Sequence, residues 1–134
     1  MEEVVEMASR RRQKRVEPLK DSEFQILLAL ADAPRHGYGI MQEVAARSEG
    51  SVQLGPGTLY GAIKRLLAQE LVEESDQRPA PHRDDERRRC YYRITPAGRT
   101  VVKQEVDRLA RIVEVARSKR LISDRALGWL GGTT

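Results

Sequence analysis

The stretch that most limits what this chain can become is Gly55-Pro56-Gly57-Thr58-Leu59-Tyr60-Gly61-Ala62-Ile63-Lys64-Arg65-Leu66-Leu67. Leu59, Ile63, Leu66 and Leu67 recur at helical spacing and predict one apolar face that needs a core to cover it. Thr58, Gly61, Lys64, Arg65 and Ala68 fall mainly on the other side, which is short of bulk and carries two cations. Pro56 suits a first helical turn, where its missing N–H costs nothing, and Gly55 is an acceptable N-cap. A helix with so bare a face can approach another surface closely and offer charge to phosphate. The stretch therefore reads as a DNA-recognition helix over 55–69, and the remaining chain has to support it.

Upstream, residues 1–18 read as a basic extension: Arg10, Arg11, Arg12, Lys14 and Arg15 precede the break at Pro18. Such an arm is either a solvated tail or a segment lying along phosphates. Met7 is a second candidate start for translation. Ser22-Glu23-Phe24-Gln25 has the form of a capping box, with Asp21 as a rival N-cap. Phe24, Ile26, Leu27, Leu28, Leu30 and Ala31 then predict a helix apolar nearly all round, hence central and buried, stopped by Pro34. After a tight Arg35-His36-Gly37 connection, Ile40, Met41, Val44 and Ala45 predict a second helix ending at a left-handed Gly50. Ser51-Val52-Gln53-Leu54 predicts a small strand or an extended linker.

Downstream, Leu71–Ser75 and Arg89–Thr95 predict two strands. Cys90, Tyr92 and Ile94 should share one face of the second, and Arg89, Tyr91 and Arg93 the other. The charged, proline-bearing segment between them predicts a long hairpin loop holding Arg83, Arg87 and Arg88 beside Arg89. Thr95 and Pro96 restart a helix over 96–122 as N-cap and first-turn residue. Along it Val102, Val106, Leu109, Val113 and Ala116 repeat at spacings of four and three, the pattern of a helix that pairs with a second copy. A tail over 123–134 carries a short apolar patch with Trp129. The expected fold class is mainly α with a small β-hairpin: a winged helix-turn-helix DNA-binding domain over 19–95, followed by a long dimerisation helix.

Charge agrees with an anionic partner, at a net +4 over 134 residues. Cys90 is the single cysteine, which excludes an intramolecular disulfide and points to a reducing compartment. No apolar run reaches membrane-spanning length, and Met1–Met7 is too acidic for a secretory signal, so the expected location is cytoplasmic. Gly55-Pro56-Gly57 lacks the spacing of a nucleotide-binding loop, and no Ser/His/Asp or paired-carboxylate arrangement stands out. No enzyme, cofactor or metal site is expected; His82 and Cys90 have no further ligands at recognisable spacing.

In the words Arg35-His36-Gly37-Tyr38-Gly39-Ile40, Gly55 to Leu66, and Arg88-Arg89-Cys90-Tyr91-Tyr92-Arg93-Ile94-Thr95-Pro96-Ala97-Gly98 the chain resembles the PadR family of bacterial transcriptional regulators. The resemblance spans about Leu19 to Arg120. It implies a homodimer embraced by long C-terminal helices, bound to an inverted-repeat operator in double-stranded DNA, usually as a repressor. It leaves room for a small-molecule effector near the dimer interface. By position it puts Thr58, Leu59, Tyr60 and Lys64 at or beside the DNA, with Leu59 in the core. Thr58, Tyr60, Gly61, Lys64 and Arg65 are the expected helix contacts, with Arg83, Arg87, Arg88 and Arg89 in the wing. Glu70 stands where the family commonly has Gly, so a left-handed turn there would be strained by about 1 kcal/mol. Cys90 interrupts a usually basic or aromatic run.

Some residues carry blander expectations. Tyr38 and Tyr92 should pack with their hydroxyls satisfied, while Tyr91 suits packing and DNA contact equally. His36 reads as a turn residue, Cys90 as an inert thiol, and Trp129 as packed on a neighbouring helix. The alternative from another class is a winged-helix protein-interaction module that does not bind DNA.

Overall fold

The computed structural model describes residues 19–76 and 90–129. Helix α1 runs Asp21–Leu30, strand β1 Arg35–His36, helix α2 Gly37–Arg47 and helix α3 Pro56–Ala68. Strands β2 (Val72–Ser75) and β3 (Tyr91–Ile94) precede the long helix α4 (Pro96–Ser118) and a short helix α5 (Asp124–Trp129). The sheet order is β1-β3-β2, all antiparallel, with Val72 opposite Ile94, Ser75 opposite Tyr91, and Arg35 opposite Tyr92. Three helices followed by a two-stranded hairpin give the expected winged-helix arrangement. The described residues up to Val102 form one compact unit and those from Lys103 a second.

The first unit is built around α1. Ile26, Leu27 and Ala29 have no exposed surface, and Leu30 has 2%. Ile40 and Val44 of α2, and Leu59, Ala62, Ile63 and Leu66 of α3, close on them. At about 25 cal/mol per Å² of apolar surface, each such branched side chain contributes about 1.5–3 kcal/mol. The last carbonyls of α1 are satisfied from outside: Arg35 Nε donates to Ala29 O at 2.8 Å and Arg99 Nη2 to Ala31 O at 2.9 Å.

Three helices end alike. After α3, Leu71 N–H donates to Leu66 O and Glu70 N–H to Leu67 O, with Glu70 at φ 59°. This is a Schellman motif with glutamate at the position glycine prefers. Glu49 (φ 55°) closes α2 and Arg120 (φ 58°) closes α4 through the same pair of bonds, and Gly50 is left-handed as expected at φ 82°. Thr95 caps α4: its Oγ1 accepts from Gly98 N–H at 3.0 Å and donates to Glu70 O at 2.7 Å, tying the end of α3 to the start of α4.

Several expectations are corrected. The short strand is not Ser51–Leu54 but Arg35–His36, because extended backbone there pairs with β3, whereas Val52 N–H is taken by the Ser48 hydroxyl. The capping box closes two residues early, at Lys20 rather than Ser22: Lys20 is the N-cap, and its N–H donates to Glu23 Oε1 at 2.9 Å. Lysine offers no acceptor in return, so only the glutamate half of the box is made. Tyr38 is exposed, at 54%, whereas Tyr92 packs in the core as expected and Tyr91, on the other face of β3, is buried with the His36 ring against it. Helix α4 stops at Ser118 rather than 122, where the left-handed Arg120 ends it. Val102, expected in the pairing strip, is 7% exposed and belongs to the core of the first unit.

In the second unit, Val106, Ile112 and Val115 of α4 are exposed, with Leu109, Val113 and Ala116 half-buried. Ser123 Oγ accepts from Ala126 N–H and starts α5. Trp129 does not pack on a helix: it is 71% exposed, with the Arg125 guanidinium 4.9 Å from its ring centre. No helix among the described residues is long and apolar enough to cross a membrane.

Candidate nucleic-acid interface

Helix α3 is presented by its ends and by its buried face. Gly55 stands as N-cap in extended backbone, Pro56 occupies the first turn, and Leu59 N–H returns to Gly55 O at 2.9 Å. With about 3.6 residues per turn, burying Leu59, Ala62, Ile63 and Leu66 turns Gly57, Gly61, Lys64 and Ala68 directly away from the core. Thr58 and Arg65 then lie on one flank and Tyr60 on the other. Lys64 and Thr58 are exposed. A Cβ at Gly57 would meet nothing within 4 Å, and one at Gly61 only Arg65 Nη1 at 3.6 Å. The outward row is therefore nearly smooth backbone with one long cation.

Tyr60 is half-exposed, and its hydroxyl lies where a Cβ on Gly37 would overlap it. The missing Cβ of Gly37 thus leaves room for the Tyr60 ring of α3 to lie against the start of α2. His36 is more than a turn residue: it pairs in β1 and caps α2, its Nδ1 accepting from Gly39 N–H at 3.0 Å. Its ring stacks on Tyr38 (6.4 Å, 10°) and meets Tyr91 edge-on at 5.2 Å. A shallow cleft of about 350 Å³ opens here, lined by His36, Gly37, Tyr38, Tyr60, Cys90 and Tyr92. Burial, aided by a hydrogen bond to Cys90, pushes the Tyr92 phenol up to about 12. Cys90 itself is exposed.

Arg65 differs from the other α3 candidates. Its Nε faces the Glu23 carboxylate of α1 at 3.5 Å, so the guanidinium is shared with the scaffold. Nothing in the helical pattern signalled this partner, because Glu23 reads only as a first-turn residue inside the Ser22–Gln25 box. The wing candidates Arg83, Arg87, Arg88 and Arg89, like the basic arm 1–18 and His82, lie outside the described residues. The hairpin that would carry the wing is in place, with Arg93 Nε on Glu73 at 2.7 Å across it. Among the described residues no three His, Cys, Asp or Glu side chains gather in a possible metal site.

The fold and sequence have known counterparts. A transcriptional regulator structure from Clostridium thermocellum superposes with a TM-score of 0.60 at 26% identity, covering 72% of this chain and 87% of that one. A PadR family transcription regulator from Clostridium difficile gives 0.61 at 22% identity, covering 74% and 97%. Bordetella bronchiseptica BpsR, whose DNA binding is regulated by 6-hydroxynicotinic acid, gives 0.58 at 22% identity, covering 96% and 92%. In sequence the chain is 38% identical over 93 residues to transcriptional regulator Rv3488 of Mycobacterium tuberculosis, covering 67% of this chain and 79% of that protein. It is also 40% identical over 92 residues to an uncharacterised transposon protein of Streptomyces fradiae. That match covers 69% of this chain but only 24% of the longer protein. The sequence model of the Transcriptional regulator PadR-like family matches residues 26–104, more than half of the chain, and the chain belongs to that family.

Proposed function

We propose that the protein is a homodimeric repressor that binds an inverted-repeat operator by laying α3 in the major groove of each half-site. The observation that carries the reading is the outward row of α3: Gly57, Gly61, Lys64 and Ala68 stand opposite a fully buried face. A row without bulk lets the helix backbone come close to base edges, and Lys64 reaches guanine or phosphate. Thr58 and Tyr60 add hydroxyls near the helix N-terminus, where partial positive charge favours phosphate. The wing arginines would meet the backbone beside the groove. A single α3 offers few base-reading groups, so specificity calls for two copies. The exposed Val106, Ile112 and Val115, with Leu109, Val113 and Ala116, are a surface suited to that pairing. Regulation of BpsR DNA binding by 6-hydroxynicotinic acid supports control by a small ligand, which in this reading sits near the dimer interface, re-spaces the two helices and releases DNA.

Footprinting upstream of the protein's own gene, followed by titration of the protected duplex at several salt concentrations, tests the reading. A two-fold-symmetric footprint with affinity falling steeply as salt rises is expected. Lys64→Ala should weaken binding with folding and dimerisation intact. Absence of any duplex binding, or binding indifferent to salt, would sink the proposal.

A further inference from the structure

Glu23 is a carboxylate with 5% of its surface exposed, in the first turn of α1. One oxygen, Oε1, accepts the Lys20 backbone N–H at 2.9 Å. That contact needs an acceptor but no charge. The helix N-terminus welcomes a negative charge, yet an exposed carboxylate would serve it as well, without the desolvation cost. The second oxygen accounts for the burial: Oε2 lies 3.5 Å from Arg65 Nε, across the gap between α1 and α3.

Arg65 is arranged to match. Its Nε is buried and makes no hydrogen bond, so charge rather than a closed bond holds that edge. The side chain as a whole is 42% exposed. Gly61, one turn earlier, has no Cβ, and Arg65 Nη1 lies 3.6 Å from where one would be. The guanidinium therefore lies over the bare turn of the helix, with its inner edge toward Glu23. Arg65 also sits on a flank of α3 rather than in the outward row. A helix seated in the major groove turns its outward row to the base edges and its flanks to the groove walls, which are sugar and phosphate.

We propose that Glu23 is a positioning residue: it holds the Arg65 guanidinium by its Nε edge over Gly61, so that the outer N–H groups meet a backbone phosphate at the groove wall. The inference rests on α3 being the DNA-facing helix. An unheld arginine must be ordered when it binds, and ordering one long side chain costs about two- to tenfold in affinity. Glu23 removes that loss in advance. Its own charge, neutralised by Arg65, would repel DNA if the arginine were absent.

The test is a double-mutant cycle with a labelled random-sequence duplex of about three helical turns as probe, since phosphate contacts are indifferent to sequence. Glu23→Gln keeps an amide oxygen for Lys20 N–H but loses the charge that faces Arg65. It should weaken binding about two- to tenfold and leave the salt slope unchanged, because the phosphate contact is still made. In an Arg65→Ala background the same substitution should no longer weaken binding, and should strengthen it by removing an unpaired carboxylate. Arg65→Lys retains a partner for Glu23 where Arg65→Ala folds poorly, and Glu23→Gln should likewise lose its effect there. Equal losses in the Arg65 and substituted backgrounds would show a purely structural Glu23 and overturn the proposal, as would no loss at all. Failure of the unaltered protein to bind the duplex would overturn the DNA reading itself, and this inference with it.

Discussion

Replacing Gly61 by alanine should move stability and DNA binding in opposite directions. Gly61 lies inside α3, outside the left-handed region, so its backbone has no need of glycine. A Cβ there would meet Arg65 Nη1 at 3.6 Å, an ordinary contact, and nothing else within 4 Å. The substitution thus carries no steric cost within the protomer, and the helix gains the glycine-to-alanine difference of about 0.8–1 kcal/mol. For a domain of this size that raises the thermal midpoint by about 4–8 °C per kcal/mol. In the proposed seating of α3 on DNA the same methyl would stand in the outward row, at the point of closest approach. Forcing one methyl into a packed interface costs about 1–3 kcal/mol, which corresponds to a loss of roughly 5- to 150-fold in affinity. Thermal unfolding followed by circular dichroism, and fluorescence anisotropy on the footprinted duplex, measure the two effects. A stabilised variant with unchanged affinity would refute the close seating of α3. A destabilised variant would refute the helix energetics.

The other expectations concern the scaffold and one titrating group. Gly98→Ala should destabilise by about 1–3 kcal/mol or more, because its Cβ would overlap the Leu71 carbonyl oxygen and lie 2.8 Å from Ile94 Cγ1; an unshifted melting curve would contradict that packing. Glu70→Gly should stabilise by about 1 kcal/mol by relieving the left-handed glutamate, read from the chemical-denaturation midpoint, while keeping the Thr95 bond to the residue 70 carbonyl. The Tyr92 phenol is raised from 10.0 to about 12 in the folded chain. Between those values the unfolded chain has lost the proton and the folded chain keeps it, so stability should fall as pH rises through that window. Tyr92→Phe should flatten the fall, and ultraviolet phenolate titration should lose a late-ionising component in the variant. Asp at Leu109 should yield monomers by light scattering if α4 pairs with a second copy.

Much of this molecule was legible in short stretches of sequence, wherever a local rule decides the outcome. Pro56 after Gly55, Thr95 before Pro96 and the spacing of Leu59, Ile63 and Leu66 each specify an end or a face using only neighbours a turn or two away. The left-handed Gly50 follows in the same way, since a helix has to satisfy its last carbonyls wherever it stops, although the residue that closes α2 is its neighbour Glu49. What escaped was non-local. Two residues, Arg35 and His36, are a strand only because Tyr91 and Tyr92 arrive beside them, and no two-residue pattern announces that. Tyr38 reads as packed and Tyr91 as equally suited to packing and DNA contact, yet Tyr91 is buried beside the His36 ring and the position of Tyr38 on α2 leaves it exposed.

The site divides along the same line. One apolar and one bare face on α3 follow from residue order, because helical periodicity is a property of the chain alone. Packing between elements is what places Val102 in the core and so starts the exposed strip of α4 further along. It also decided that Tyr60 rests on Gly37, and that Arg65 shares its guanidinium with a buried Glu23. These depend on which surfaces meet, and a carboxylate in a first turn looks like a cap until another helix brings it an arginine.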